Sequence, residues 1–377
     1  MRWRTKSVAE ENRRPRGAHR RGGARRGRRR KPLARRRGRR IAAWCAGLLV
    51  FFGGAGVGYL YFKLNDNISS VDINEALGKN RPEEIDNGSM DILVLGSDSR
   101  AGDNGKYGKD EGSSRSDTAM IVHVYAGHEK ASVVSIPRDT VVPRPSCATP
   151  SGKTSPAAKR AQFNEAYSVG GAACAVKTVE AMTNIRMDHY MEVDFAGFQK
   201  LIDRLGGVKV TTTKSIHDKK SNLNLRAGSH TLTGEQSLGL VRTRHGVGDG
   251  SDLGRIKLQQ AFIKALTDQV KSIGLFTSPT KLYGIADTAT KALTTDKDLA
   301  SFDKLTRFAN GLKGIGSQDM RMATLPVSPD AKDHNRVVPH TTAAGQVWQA
   351  LRDDQPIPES ALKEGDGAKT EADGVVK

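Results

Sequence analysis

The 377-residue chain lacks most of the motifs that would name a chemistry outright. Its three cysteines include no C-x-x-C pair, so a zinc site or a thioredoxin-like redox centre has no support. No G-x-x-x-x-G-K-[ST] loop occurs, which disfavours a P-loop nucleotidase, and no G-x-S-x-G elbow occurs, which disfavours a serine hydrolase. Aromatic residues make up only 5% of the chain, and its arginine runs carry none between them. Single-stranded nucleic-acid binders stack bases on such aromatics, and no helix-turn-helix pattern replaces them. The reading is therefore no nucleic acid, even at a net charge of +19.

That charge is concentrated at one end. Residues 1–40 hold 19 lysines and arginines against Glu10 and Glu11, a net of +17, and the other 337 residues carry +2. Runs such as Arg25-Arg26-Gly27-Arg28-Arg29-Arg30-Lys31 cannot build a core, so residues 1–40 are expected to be a disordered basic tail. The next 22 residues, Ile41 to Phe62, carry no charge. At 1.5 Å per residue they reach roughly 33 Å, enough to cross a bilayer core. Trp44, Tyr59 and Tyr61 sit near the ends, as interfacial aromatics do. Positive charge on the N-terminal side places the tail in the cytoplasm and the rest outside, an extracytoplasmic domain on a single-pass membrane anchor. The tail then also meets anionic lipid. A cleaved signal peptide would have a shorter apolar stretch; a twin-arginine signal at Arg39-Arg40 is a weaker rival.

Outside the span, Cys147 and Cys174 remain, and an oxidising compartment favours a disulfide between them. Closing a loop of about 28 residues contributes ~3.6 kcal/mol in the chain-entropy model. Residues 63–90 read as a polar linker, 91–352 as the folded domain, and 353–377 as a disordered tail.

The domain alternates in an α/β manner. Asp91-Ile92-Leu93-Val94-Leu95 reads as a buried strand, followed by Gly96-Ser97-Asp98-Ser99-Arg100 and a Gly-rich loop. Arg115-Ser116-Asp117-Thr118 then leads into a second strand, Ala119–Tyr125. Ala131–Ile136 is a third, ending at Pro137-Arg138-Asp139. Two aspartates and three arginines thus lie at strand ends, where open α/β sheets bind ligands. Carboxylates suit a hard cation and guanidinium forks suit phosphate oxygens, so the pattern points to a metal-bound phosphate or pyrophosphate.

Further on, 143–159 reads as a surface loop and 164–182 as a helix. Phe195, Phe198, Leu201, Ile202 and Leu205 fall at helical spacing before the stop Gly206-Gly207; this stripe lines a lipid site or is ordinary core. Thr233 is the expected N-cap of the next helix, which ends near Arg242-Thr243-Arg244-His245. If extended, Arg242 and Arg244 face one side. A Gly-rich loop with Asp249 and Asp252 follows, and then a long helix containing Arg255, Leu258 and Gln259. Asp249, Asp252 and His245 are candidates to activate an acceptor hydroxyl, although loop aspartates are also common turn formers.

Taken in order, DILVLGSDSR, RSDT, SIPRDT, FNEAYSVGG, VDFAGFQKLIDRLGGV, LTGEQSLGLVRTRH and SDLGRIKLQQ resemble the LytR-CpsA-Psr family over residues 90–270. The resemblance implies a three-layer α/β/α sandwich with a mixed central sheet and a tunnel for a polyprenyl chain. It implies a phosphotransferase that moves a glycopolymer from a polyprenyl-pyrophosphate carrier to a peptidoglycan acceptor, forming a phosphodiester in cell-wall assembly. By the same resemblance Asp98 and Asp117 hold Mg2+ (or Mn2+). Arg100, Arg115, Arg138, Arg242, Arg244, Arg255 and Gln259 hold the pyrophosphate. Arg100, Arg115 and Arg138 also act in catalysis, with Asp252 beside them as the candidate base. One departure stands out: Leu258 occupies a position where the family usually has arginine. If the missing arginine matters in this chain, restoring it is expected to tighten pyrophosphate binding. A pyrophosphatase without transfer activity and a membrane-bound transcriptional attenuator are the alternatives.

Overall fold

The computed structural model describes residues 55–56, 58–97, 116–245, 247, 250, 252–273, 279–364 and 374–376. The chain divides into two units, residues 1–57 and 58–377. The basic tail and most of the expected span, 41–54 and Val57, lie outside the described residues. Among those described, no helix is long and apolar enough to cross a membrane.

The stretch expected as a linker belongs to the fold. Strand β1 (Ser69–Val71) pairs in parallel with β14 (Leu293–Asp296) at the edge of the main sheet. Helix α1 (Ile73–Leu77) buries Ile73 and Leu77, 1% and 6% exposed. Asp72 caps it by accepting the Glu75 N–H at 2.9 Å. The elements are too short to show a period, so composition alone reads them as linker; the Asp72-x-x-Glu75 spacing is the one local helix-start signal.

Three apolar runs form the sheet's centre: β2 (Met90–Ser97), β3 (Ser116–Val124) and β4 (Ala131–Ile136). With β9 (His189–Asp194) and β15 (Met320–Thr324) the order is β1-β14-β9-β2-β3-β4-β15. Pairing is antiparallel for β2–β3, β3–β4 and β14–β9, and parallel for β1–β14, β2–β9 and β4–β15. The sheet is therefore mixed, as expected. Because side chains alternate across a strand, Leu93, Leu95, Ile121 and Val134 face helices α2 (Phe163–Thr183) and α8 (Thr341–Arg352). Ile92 and Val124 face the opposite way, toward Phe308 and Leu312 of α7 (Phe302–Leu312).

A second core joins α3 (Phe195–Arg204), the pairs β10 (Val208–Thr212) with β13 (Gly228–Leu232) and β11 (Ile216–Asp218) with β12 (Leu223–Leu225), α4 (Gly234–Arg242) and the long α5 (Asp252–Ser272). Ile202 and Leu205 are buried in it, with Phe198 and Leu201 packed alongside, so the apolar stripe is largely ordinary core. Helix α3 ends at Gly206 and Gly207, whose φ of +85° and +91° suits glycine. Thr233 caps α4 in a full capping box with Gln236, as the sequence predicts. The segment 143–159 is less irregular than expected. It lies within two small antiparallel pairs, β5 (Val141–Arg144) with β8 (Ala158–Gln162) and β6 (Cys147–Ala148) with β7 (Thr154–Ser155). Here Cys147 and Cys174 are joined as a disulfide, their Cα atoms 5.5 Å apart.

The expected disordered tail is also partly folded. Ile357 and Ala361 of helix α9 (Glu359–Lys363) or its approach insert into the main core at 2% and 0% exposure. Val375 and Val376 join the second core, with Val376 bridging Thr212. A few apolar side chains at the right places outweigh the polar composition around them.

The tail is tied to the sheet at His123, which is fully buried. Its Nδ1 lies 2.9 Å from Asp91 Oδ1 and its Nε2 3.0 Å from Asp354 Oδ1. Burial opposes charge on the ring, but the two carboxylates outweigh it and raise the imidazole above its usual 6.5. A group with a raised folded value contributes stability fully present below its unfolded value and lost as pH rises through the folded one. Burial raises Asp91 as well, which gives the same sign at lower pH. Thermal unfolding is expected to show stability falling from about pH 6.5 upward, and His123→Gln is expected to flatten that slope. Parallel pH profiles for the two proteins would remove His123 as the cause.

Candidate active site

Arginines from three separate segments meet on one cavity of about 210 Å3. Arg138 stands just past the end of β4, Arg242 is the last residue of α4, Arg244 follows in the loop, and Arg255 lies in the first turn of α5. Asp117 and Thr118 at the start of β3, together with Gln259, Phe195 and Val241, also line it. The strand-end placement expected for Asp117 and Arg138 is thus observed. Asp98, Arg100, Arg115 and Asp249 lie outside the described residues.

Asp252 organises the cluster. Its Oδ1 accepts from Arg244 at 2.9 Å and pairs with Arg255, while its Oδ2 accepts the Arg138 N–H at 3.1 Å. Its side chain is only 11% exposed. With both oxygens engaged, Asp252 acts here as a positioning carboxylate; the arrangement gives no support to its expected role as a free base. Arg138 also pairs with Asp117 Oδ1 and lies 3.5 Å from Asp139. Burial works against charge on Arg138, but Asp117 and Asp139 outweigh it and raise its pKa. Arg255, 5% exposed, is pulled the other way: burial lowers its pKa and Asp252 offsets only part. Arginine stays protonated through shifts of this kind. The Arg255 guanidinium also donates to the Asp117 carbonyl at 2.8 Å. Gln259, one turn along α5, donates to Thr118 Oγ1 at 3.0 Å and to the Val241 carbonyl at 2.9 Å, fixing α5 against β3 and α4.

The Nε of Arg255 is buried without a hydrogen-bond partner, and that of Arg138 has only its ion-pair contact with Asp139 Oδ2 at 3.5 Å. Such orphans are rare, because a buried unsatisfied donor costs about 1–3 kcal/mol. Four guanidinium groups gathered on one cavity suit an anion with several oxygens.

Arg242 and Arg244 do not share a face as an extended pair would. Arg242 is helical, and its guanidinium lies over the Phe195 ring, 5.0 Å from the centroid. Arg244 turns toward Asp252 instead. Two residues that the sequence did not place with the arginines therefore belong to the site. Phe195, 8% exposed, supports Arg242. Asp218, 3% exposed, accepts the backbone N–H groups of Lys220, Arg244 and His245 at 2.9, 3.0 and 3.1 Å. Burial acts to raise the Asp218 pKa, and these N–H bonds outweigh it and lower it. No side-chain pattern announces such a role, since its partners are backbone groups. Phe195 does carry a signal: it directly follows Asp194, which caps α3 by accepting the Gly197 N–H at 2.9 Å.

Leu258 points elsewhere. It is 1% exposed and sits in the second core with Ile202, Val208 and Phe262. An arginine here would enter these apolar surroundings, away from the residues that line the cavity.

A search for relatives agrees with the motif order. Over 306 residues the chain is 31% identical to the cell wall biosynthesis protein LcpA of Corynebacterium glutamicum, covering 73% of this chain but only 57% of that one. Over 300 residues it is 32% identical to the polyisoprenyl-teichoic acid–peptidoglycan teichoic acid transferase TagT of Bacillus subtilis, covering 75% and 87%. Among solved structures, a LytR-Csp2A-Psr enzyme from Actinomyces oris matches with a TM-score of 0.56 at 21% identity, over 75% of this chain and 95% of that one. TagT bound to LI-WTA matches with a TM-score of 0.54 at 24% identity, over 75% and 98%. These structures share the fold. The model of the LytR_cpsA_psr family matches residues 60–353, a stretch that holds most of both cores and the arginine cavity, and the chain belongs to the LytR-CpsA-Psr family.

Proposed function

We propose that the protein is an extracytoplasmic phosphotransferase that moves a glycopolymer from a polyprenyl-pyrophosphate carrier onto peptidoglycan. The observation that carries this reading is the cavity where Arg138, Arg242, Arg244 and Arg255 converge from three segments of the chain. The transferase name of the relative TagT supports it. An acceptor hydroxyl attacks the phosphorus that carries the polymer, a phosphodiester forms, and the P–O bond to the polyprenyl phosphate breaks. Negative charge then collects on the departing phosphate, where fixed guanidinium donors stabilise it in a partly dry site. Asp252 keeps Arg244 and Arg255 aimed, so little reorganisation is needed as the charge develops.

Mg2+ or Mn2+ fits the chemistry of the donor set. Asp117 lines the cavity with Oδ1 on Arg138, which leaves Oδ2 for a hard cation, and Asp98 is the second ligand on this reading. The ion would neutralise phosphate oxygens and polarise the breaking bond. Arg100 and Arg115 complete the pyrophosphate grip. The uncharged segment 41–62, with the basic tail before it, anchors the domain outside the membrane.

The test is incubation of the protein with lipid-linked polymer and peptidoglycan oligomers. The expected products are polymer joined to peptidoglycan and polyprenyl monophosphate, with chelation of divalent ions stopping both. Release of free phosphorylated polymer with no adduct would show hydrolysis alone and sink the transfer reading.

A further inference from the structure

We propose that Lys220 and His245 form a second anion subsite beside the arginine cluster, holding a third negatively charged group of the donor, a phosphate or carboxylate next to the pyrophosphate. The inference rests on the proposed function, because it places the pyrophosphate on the arginines.

Both residues line the same cavity as the arginines. Lys220 comes from the turn between β11 and β12, and His245 ends the loop after α4. One buried carboxylate, Asp218, fixes the backbone of Lys220, Arg244 and His245 together. A second tie, Ser221 Oγ to Thr243 Oγ1 at 2.8 Å, closes the turn onto the loop. The wall bearing Lys220 is therefore set in register with an arginine that reaches Asp252, which is more than a loose surface lysine requires.

The charges point the same way. Arg138, Arg244 and Arg255 are paired with Asp117, Asp139 and Asp252, and Arg242 lies over the Phe195 ring. Asp218 also lines the cavity, but its oxygens are taken by the three N–H groups. Lys220 pairs with no carboxylate among the described residues. Its Nζ instead lies 3.1 Å from His245 Nε2. An ammonium has no lone pair, so it donates and the ring nitrogen accepts. Two further N–H donors remain on the ammonium. A pyrophosphate held by the arginines leaves this cation over, and an anion is the ligand class that satisfies it. A donor-borne group is favoured over a separate one because the subsite and the arginine loop are built on one carboxylate at fixed spacing.

Inorganic pyrophosphate and tripolyphosphate, titrated by calorimetry into the full-length chain in detergent, separate the two subsites. Lys220→Gln is expected to weaken tripolyphosphate about tenfold and pyrophosphate less than about twofold, as loss of one charge-assisted contact would. His245→Gln should weaken tripolyphosphate in the same selective way. Lys219→Gln removes the same charge from the same turn at a residue that does not line the cavity, and should change neither. Equal weakening of both ligands by Lys220→Gln, no weakening of either, or the same selectivity from Lys219→Gln would overturn the subsite. N-acetylmuramic acid added to pyrophosphate-saturated protein tests an acceptor carboxylate. If Lys220→Gln weakens that binding and leaves tripolyphosphate alone, the donor assignment is wrong. Failure of the unaltered protein to bind pyrophosphate would instead remove the arginine site itself, a separate and visible result.

Discussion

Arg255→Ala is expected to lower transfer at least about a hundredfold. A lost charge-assisted contact costs about 1.5–3 kcal/mol, and Arg255 supplies more than its own contact. It is 5% exposed, it pairs with Asp252, and it donates to the Asp117 carbonyl at 2.8 Å. Its removal leaves Asp252 with Arg244 and the Arg138 N–H alone, so the aim of neighbouring groups loosens along with the direct loss. Arg255→Lys should recover little, because an ammonium keeps the charge but not the fork that reaches both partners. Arg307 offers a comparison: it pairs with Asp303 on α7 at 80% side-chain exposure. Arg307→Ala should leave turnover unchanged and shift stability by no more than ~1 kcal/mol. Steady-state transfer rates of the three variants check this, and a mild Arg255→Ala phenotype would move the pyrophosphate away from the first turn of α5.

Leu258→Arg is expected to destabilise the fold by ~3–5 kcal/mol, the scale of an uncompensated buried charge. The side chain is 1% exposed and belongs to an apolar cluster with Ile202, Val208 and Phe262. Denaturant midpoints of the two proteins measure the effect. A variant within ~1 kcal/mol of the parent that bound pyrophosphate more tightly would place residue 258 on the cavity after all.

The centre of the fold was legible because it is long and strongly patterned. Leu93, Leu95, Ile121 and Val134 announce buried strands, and Thr233 with Gln236 announces a helix start. The arginines were legible as a set because several charges at element ends need a common reason. What escaped was short, or worked through the backbone. Ser69–Val71 carries no period, and its place in the sheet is decided by β14, more than 220 residues later. Asp218 acts on three N–H groups that no residue type identifies. Asp252 looked like a free loop carboxylate because the sequence does not reveal that three arginines share it. The burial of Leu258 escaped for a related reason: Arg255 and Gln259 one turn apart mark the cavity face of α5, and the position between them turns into the core.

The edge strand β1 guards the rim of the main sheet. It covers one side of β14 through pairs from Ser69–Thr294 to Val71–Asp296. Clipping the chain between these residues and the domain would bare a row of unpaired strand groups on β14, the kind of edge to which other chains add. A domain released by such a cut would leave with an adhesive flank, prone to aggregation or strand exchange. The intact connection thus works as a built-in edge guard, and its loss would alter the behaviour of the released domain.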